Sequence, residues 1–229
     1  MKFTLALAAL VTLAAAVPTL ETKRSAIAVK RTIQDIARAA LDSATSNELS
    51  GPCRPVTFIF ARGSTEAGNI GNDVGGPLSQ ALKAQYGNSF VATQGVDYPA
   101  GLLANLLPAG CSSQGINNMT AEIELAASKC PNTQIVIGGY SQGAACTHAA
   151  VGNLDDATVN RITAAVTFGD TRNEQSGGTI APIDPSRVMI FCAQGDYVCD
   201  GTLITDSAHS SYATDVPAAV DFISSLVTE

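Results

Sequence analysis

Five short runs rich in β-branched and aromatic residues, Val56–Phe60, Phe90–Thr93, Ile135–Ile137, Ala164–Phe168 and Val188–Phe191, alternate with stretches of helical periodicity. Each run has the length and composition of a buried strand. Leu78, Leu82 and Tyr86, ending before Gly87, mark one helix face; Ile116, Met119, Ile123 and Ala127 mark a second, and Val216, Val220, Ile223 and Val227 a third. Strands alternating with helices favour a parallel sheet covered on both faces, because right-handed crossovers place the helices there. The expected fold is a doubly wound α/β sandwich, in which function collects at the carboxyl ends of the strands.

The amino terminus adds a compartment. Residues 1–16 read as an export signal, with Lys2 ahead of an apolar run from Phe3 to Leu13 and the small residues Ala14-Ala15-Ala16 behind it. That run is shorter than the ~20 residues a spanning helix needs, and no later stretch is apolar enough to serve as a transmembrane segment. The dibasic pairs Lys23-Arg24 and Lys30-Arg31 make residues 17–31 a pro-segment candidate, which leaves residues 32–229 as a single domain. The net charge of -7 and the absence of a basic stripe argue against nucleic acid.

Six cysteines in an exported chain favour disulfides over metal or redox roles, although six allow fifteen pairings. Spacing singles out Cys192 with Cys199, whose short loop gives a bond worth roughly 2.5 kcal/mol. With two histidines and no paired Cys-x-x-Cys motifs, no metal site is expected. A monomer without a cofactor is expected.

After the run Ile135–Ile137 comes Gly138-Gly139-Tyr140-Ser141-Gln142-Gly143-Ala144-Ala145, a Gly-x-Ser-x-Gly sequence at a strand-to-helix junction. A serine at the tip of so tight a turn sits in strained backbone, and side chains two residues to either side would collide as the helix folds back. Ser141 is therefore the candidate nucleophile. Its hydroxyl needs a base, and only His148 and His209 are available. His148 lies seven residues along the same predicted helix, roughly 10 Å away, and reads as a helix-surface or core-edge residue. By elimination the base is His209.

The carboxylate that orients the imidazole comes between serine and histidine in this kind of fold, an order that Asp170, Asp184, Asp196 and Asp200 all satisfy. Asp196 is preferred because it follows a strand inside the loop that Cys192 and Cys199 would close. Asp170 is the runner-up, and Asp184, ahead of a proline, reads as a surface turn. Two donors are needed for the developing oxyanion: the backbone N–H of Gln142 and a group on Ala61-Arg62-Gly63-Ser64-Thr65-Glu66, where Ser64 offers N–H and hydroxyl. The competing reading of that loop is an ordinary turn with a serine cap.

Taken together, Ala61-Arg62-Gly63-Ser64-Thr65-Glu66, Gly139-Tyr140-Ser141-Gln142-Gly143-Ala144, Gly195-Asp196-x-x-Cys199 and Ala208-His209-x-x-Tyr212 resemble the fungal cutinases from about Cys53 onward. The resemblance implies a small α/β-hydrolase without a large lid: a three-layer α/β/α sandwich around a five-stranded parallel sheet. It also implies a Ser141–Asp196–His209 triad, an oxyanion hole of Ser64 and Gln142, Asn105 steadying Ser64, and bridges Cys53–Cys130 and Cys192–Cys199. Cys111 and Cys146 lie beyond that pattern, as a third bridge or as buried thiols. The implied substrates are insoluble polyesters such as cutin and soluble fatty acid esters. Leu102, Leu103, Leu106 and Leu107 either form a docking surface for them or pack inward as a helix face. Leu203 and Ile204 fit the same pattern in the opposite loop, beside the more polar Thr205 and Asp206. Asn118-Met119-Thr120 is an N-glycosylation sequon on a predicted helix. Two other functions compete with cutin hydrolysis: deacetylation of xylan by a similar esterase, and a surface or elicitor protein whose catalysis is dispensable.

Overall fold

The alternation along the sequence becomes a sheet of five parallel strands: β1 (Val56–Ala61), β2 (Val91–Gly95), β3 (Gln134–Tyr140), β4 (Ile162–Phe168) and β5 (Val188–Phe191). They pair in the order β2-β1-β3-β4-β5. The computed structural model describes residues 43–228; the export signal and the pro-segment expected over residues 1–31 lie outside them. Four longer helices cover the sheet: α1 (Gly75–Tyr86), α2 (Ser113–Lys129), α3 (Gln142–Val151) and α4 (Val216–Leu226).

Strand alternation sorts the core into two halves. Along β1, Ile59 and Ala61 pack with Met119, Ile123, Ala145 and Ala150 of α2 and α3. Phe58 and Phe60 face the other way, onto Leu78 and Leu82 of α1 and Ala219 and Ile223 of α4. Local signals end the helices where the pattern stops. Gly87, at φ 95°, closes α1 with its N–H on the Lys83 carbonyl at 2.8 Å, and the Ser112 hydroxyl accepts the Gly115 N–H at 3.2 Å to start α2. No helix among the described residues is long and apolar enough to cross a membrane.

Two strands run further than the side-chain pattern does. β3 continues through Gly138 and Gly139, which pair with Val166 and Thr167 on one side and Phe60 and Ala61 on the other. β2 starts one residue later than expected and extends through buried Gln94 to Gly95. Its polar residues are satisfied: Thr93 shares a hydroxyl hydrogen bond with Ser79 at 2.7 Å, and its N–H donates to Glu48 Oε2 at 2.8 Å. The same Glu48 carboxylate pairs with Arg54 and Lys83, so the segment before β1 seals the β2 edge that would otherwise stand open.

All six cysteines are bonded, as Cys53–Cys130, Cys111–Cys146 and Cys192–Cys199. The second bridge ties the chain after the leucine-rich segment to α3. That segment forms a 3-10 turn, Leu102–Leu106, and it does not pack inward: Leu102, Leu103 and Leu106 are 65%, 79% and 71% exposed. The sequon residue Asn118 lies in α2 and donates its side-chain N–H to the Asp97 carbonyl at 2.6 Å.

Candidate active site

Ser141 stands between β3 and α3 with φ 54° and ψ −116°, a backbone region that costs a non-glycine residue about 1–3 kcal/mol. The surroundings hold it there. Its N–H donates to the Phe168 carbonyl at 2.9 Å. A β-carbon on Gly139 would come within 2.2 Å of the Gly143 carbonyl, and one on Gly143 within 1.9 Å of the Ala61 carbonyl. The two glycines thus let α3 return close against β3 and β1.

His209 brings its Nε2 to 2.9 Å from Ser141 Oγ, while its Nδ1 lies 2.9 Å from Asp196 Oδ2. With the proton on Nδ1, that nitrogen donates to the carboxylate and Nε2 is left to accept from the serine hydroxyl. The imidazole is 4% exposed and fixed from several sides. It stacks on Tyr140 at 5.3 Å between centroids and meets Tyr212 edge-on at 6.1 Å. Tyr140 donates its hydroxyl to the His209 carbonyl at 2.8 Å, and Asp206 Oδ1 accepts the His209 N–H at 3.2 Å.

Asp196 is buried in the loop that the Cys192–Cys199 bridge closes. Its Oδ1 accepts the Val198 N–H at 3.0 Å, and its Oδ2 accepts the Tyr212 hydroxyl in a short hydrogen bond as well as the histidine. The Tyr212 oxygen accepts in turn from the Ala193 N–H at 3.0 Å, so one phenol spans the loop. Burial, with the Asp196 hydrogen bond adding, pushes the Tyr212 hydroxyl well above its ordinary pKa and keeps it a donor.

The other aspartates stand apart from this group. Asp170, fully buried, accepts from Thr167 Oγ1 at 2.6 Å and from the Arg172 N–H at 2.8 Å, and it pairs with His148 Nε2 at 2.9 Å. The chain therefore contains two histidine–aspartate pairs, and His148 is an anchored residue at the edge of the core rather than a helix-surface one. Asp184 caps a 3-10 turn through the Ser186 N–H, as its proline suggests.

Ser64, on the loop after β1, accepts from Asn105 Nδ2 at 3.0 Å; the same nitrogen donates to the Leu102 carbonyl at 3.0 Å. Gln142 opens α3, so its N–H has no partner within the helix. Its side chain reaches to the Gly101 carbonyl at 2.9 Å and ties the leucine-bearing turn to the serine elbow. Gly63 makes room for a neighbouring ring. A β-carbon there would strike the Tyr140 ring at 2.7 Å, and its N–H donates to Glu66 Oε2 at 2.6 Å. Glu66 also accepts from the Asn72 and Asp73 N–H groups; burial raises its pKa while these bonds oppose the rise.

Ser64, Asn105, Ser141 and His209 line one cleft of about 410 Å³, with Leu102 on one wall and Val198 and Leu203 on another. Its rims are apolar. Leu203 and Ile204 are 50% and 64% exposed opposite the Leu102–Leu106 turn, and Tyr197 stands out beside them. Tyr140, Tyr212, Gly169, Glu66 and Asp206 were not among the residues that motif order singled out for a role. Glu66, Tyr140 and Tyr212 lie inside the sequence motifs, whereas Gly169 lies in none of them.

Comparison with known proteins follows the same lines. The family model for cutinase matches residues 52–227. The chain is similar to cutinase CUT2 of Pyricularia oryzae, 44% identical over 99% of this chain and 100% of that protein. It is also similar to cutinase 3 of Emericella nidulans, 45% identical over 85% of this chain and 89% of that one. Among solved structures, Trichoderma reesei cutinase in complex with a C11Y4 phosphonate inhibitor superposes with a TM-score of 0.75 at 35% identity, covering 93% of each chain. The catalytic core domain of acetyl xylan esterase from Trichoderma reesei shares the fold, with a TM-score of 0.62 at 23% identity over 76% of this chain and all of that one.

Proposed function

The chain belongs to the cutinase family of carboxylic ester hydrolases, and on that premise we propose that it is an exported, monomeric serine esterase that cleaves cutin and soluble fatty acid esters through an acyl-enzyme on Ser141. One observation carries the reading: the Ser141–His209–Asp196 hydrogen-bonded chain opens into a cleft whose two rims hold exposed apolar side chains.

In this mechanism Ser141 Oγ attacks the ester carbonyl carbon as His209 Nε2 takes its proton, and Asp196 stabilises the imidazolium that forms. The negative charge on the carbonyl oxygen is met by the Gln142 N–H and by Ser64, whose oxygen Asn105 fixes. Each such donor is worth about a hundredfold to a thousandfold in rate. Collapse expels the alcohol, which receives the proton from His209, and water releases the acid by the same steps. Leu102, Leu103, Leu106, Leu203 and Ile204 would rest on the insoluble substrate, where removing their exposed apolar area from water favours adsorption.

Export agrees with three disulfides, since such bonds persist in oxidising compartments. Under this reading residues 1–16 direct export, and removal of residues 17–31 leaves 32–229 as the working domain.

A phosphonate ester and a panel of substrates test the assignment. Phosphonylation is expected on Ser141 and is expected to vanish in Ser141→Ala. Initial rates should favour cutin and p-nitrophenyl esters of fatty acids over acetylated xylan. Faster release of acetate from xylan would replace the proposed substrate class, and failure of the wild type to react with the phosphonate would remove the serine mechanism.

A further inference from the structure

Apart from the His209 imidazole, the cleft in front of Ser141 is walled by apolar, hydroxyl and amide side chains, with one charged exception. Asp73 is the only Asp, Glu, Lys or Arg among the described residues lining it. It lies on the turn leading into α1 and is exposed. Among the described residues its carboxylate enters no ion pair and accepts no hydrogen bond, while its own N–H is bound to Glu66.

Among the described residues no cationic side chain pairs with that charge. Glu66 is occupied by the N–H groups of Gly63, Asn72 and Asp73. Arg62 is buried and directs its guanidinium to the carbonyls of Glu66 and Tyr98 at 2.8 and 2.7 Å. The field also reaches the site: after burial, Asp73 is the largest cause raising the pKa of Tyr140, the ring on which His209 stacks.

We propose that Asp73 is a charge filter in the ester-binding cleft, selecting against substrates that carry a carboxylate close to the scissile ester and in favour of neutral or cationic ones. This rests on the esterase reading and narrows its substrate class. Two like charges about 8 Å apart in a cleft with partly protein walls repel enough to change relative rates about fivefold, and salt screens the effect. The consequence for a polyester is directional. Each cut leaves a new carboxylate chain end, and an ester within about a Debye length of such an end becomes a poorer substrate than one farther from it. The filter therefore acts on substrates with a short acid arm, whereas an ester separated from the acid end by a whole long-chain hydroxy acid lies beyond its reach.

The filter is read from a matched pair, p-nitrophenyl hexanoate and mono-p-nitrophenyl adipate, which differ by a terminal carboxylate. The ratio of kcat/KM for adipate to that for hexanoate is measured near pH 8 at ionic strengths of about 0.01 M and 0.5 M. Asp73→Asn is expected to raise the ratio about fivefold at low salt, with the gap closing at high salt, and Asp73→Glu is expected to keep the low ratio. In the wild type the ratio should climb with salt, and because the net charge of -7 adds to that climb, Asp73→Asn should make it shallower. A wild-type ratio that is flat with salt overturns the filter, as does an Asp73→Asn increase that persists at high salt, which would be steric. A wild type that cleaves neither ester overturns the esterase reading instead.

Discussion

Gly169 lies against the imidazole of His209 so closely that a β-carbon at this position would come within 2.7 Å of its Cε1 and 2.9 Å of its Nδ1. The residue directly follows β4 at φ 52°, and its N–H is held by the Phe191 carbonyl at 3.0 Å, so the backbone cannot easily retreat. Gly169→Ala is expected to push the ring off Ser141 and lower kcat/KM on a soluble ester by on the order of a hundredfold, the scale of a misplacement of about 1 Å. Kinetics paired with a thermal melt check it: a variant that melts lower but turns over normally would show that the ring does not depend on this gap.

Tyr212 joins the histidine loop to the Asp196 loop through a single hydroxyl. Tyr212→Phe leaves the Ala193 N–H without its acceptor and removes a donor from Asp196. Urea melts are expected to show a loss of about 1–3 kcal/mol, with a lower kcat on soluble esters. Unchanged stability would mean that water replaces the phenol.

His148 and Asp170 repeat the histidine–aspartate contact without a serine. His148→Ala removes one of three partners of a buried carboxyl group and is expected to cost about 1–3 kcal/mol in stability. Turnover should stay within a few-fold of wild type. A thousandfold loss would identify His148 as the base and displace His209.

Glu122 is the carboxyl group that most clearly couples stability to pH. Burial lifts its pKa from 4.5 to about 8, opposed by a hydrogen bond from Gln94 and helped by the charge of Asp97. The folded chain therefore keeps this proton across a range where the unfolded chain has lost it. Its contribution is full below about 4.5 and is lost as pH rises through about 8. Glu122→Gln should flatten that decline, so its melting temperature should gain several degrees over wild type between pH 5 and pH 9. Parallel melting curves across that range would contradict the assignment.

The sheet was legible in the sequence wherever a strand is built of side chains that need burial, as in Val56–Phe60 and Val188–Phe191. It was not legible at Gly138 and Gly139, because glycine pairs its backbone without adding to any hydrophobic pattern. Ser141, Asp196 and His209 could be picked out because a motif, a loop and chain order narrow the choice to few residues, and the three lie in hydrogen-bonding contact. The supports around them could not. Tyr140, Gly169 and Tyr212 matter through contacts between segments as many as 72 residues apart in sequence, from Tyr140 to Tyr212, and no local pattern encodes such convergence. The leucine turn was ambiguous for a different reason: over five residues, a face turned to the core and a face turned to solvent have the same periodicity.

The three disulfides differ in how far solvent reaches them. Cys192 and Cys53 are exposed, whereas Cys111 and Cys146 are sealed inside, so a thiol arriving from solvent meets the small Cys192–Cys199 ring and the Cys53–Cys130 bridge before it meets the staple behind the elbow. Opening that ring frees the loop under Asp196, so activity is expected to fall before the bridge behind the elbow opens.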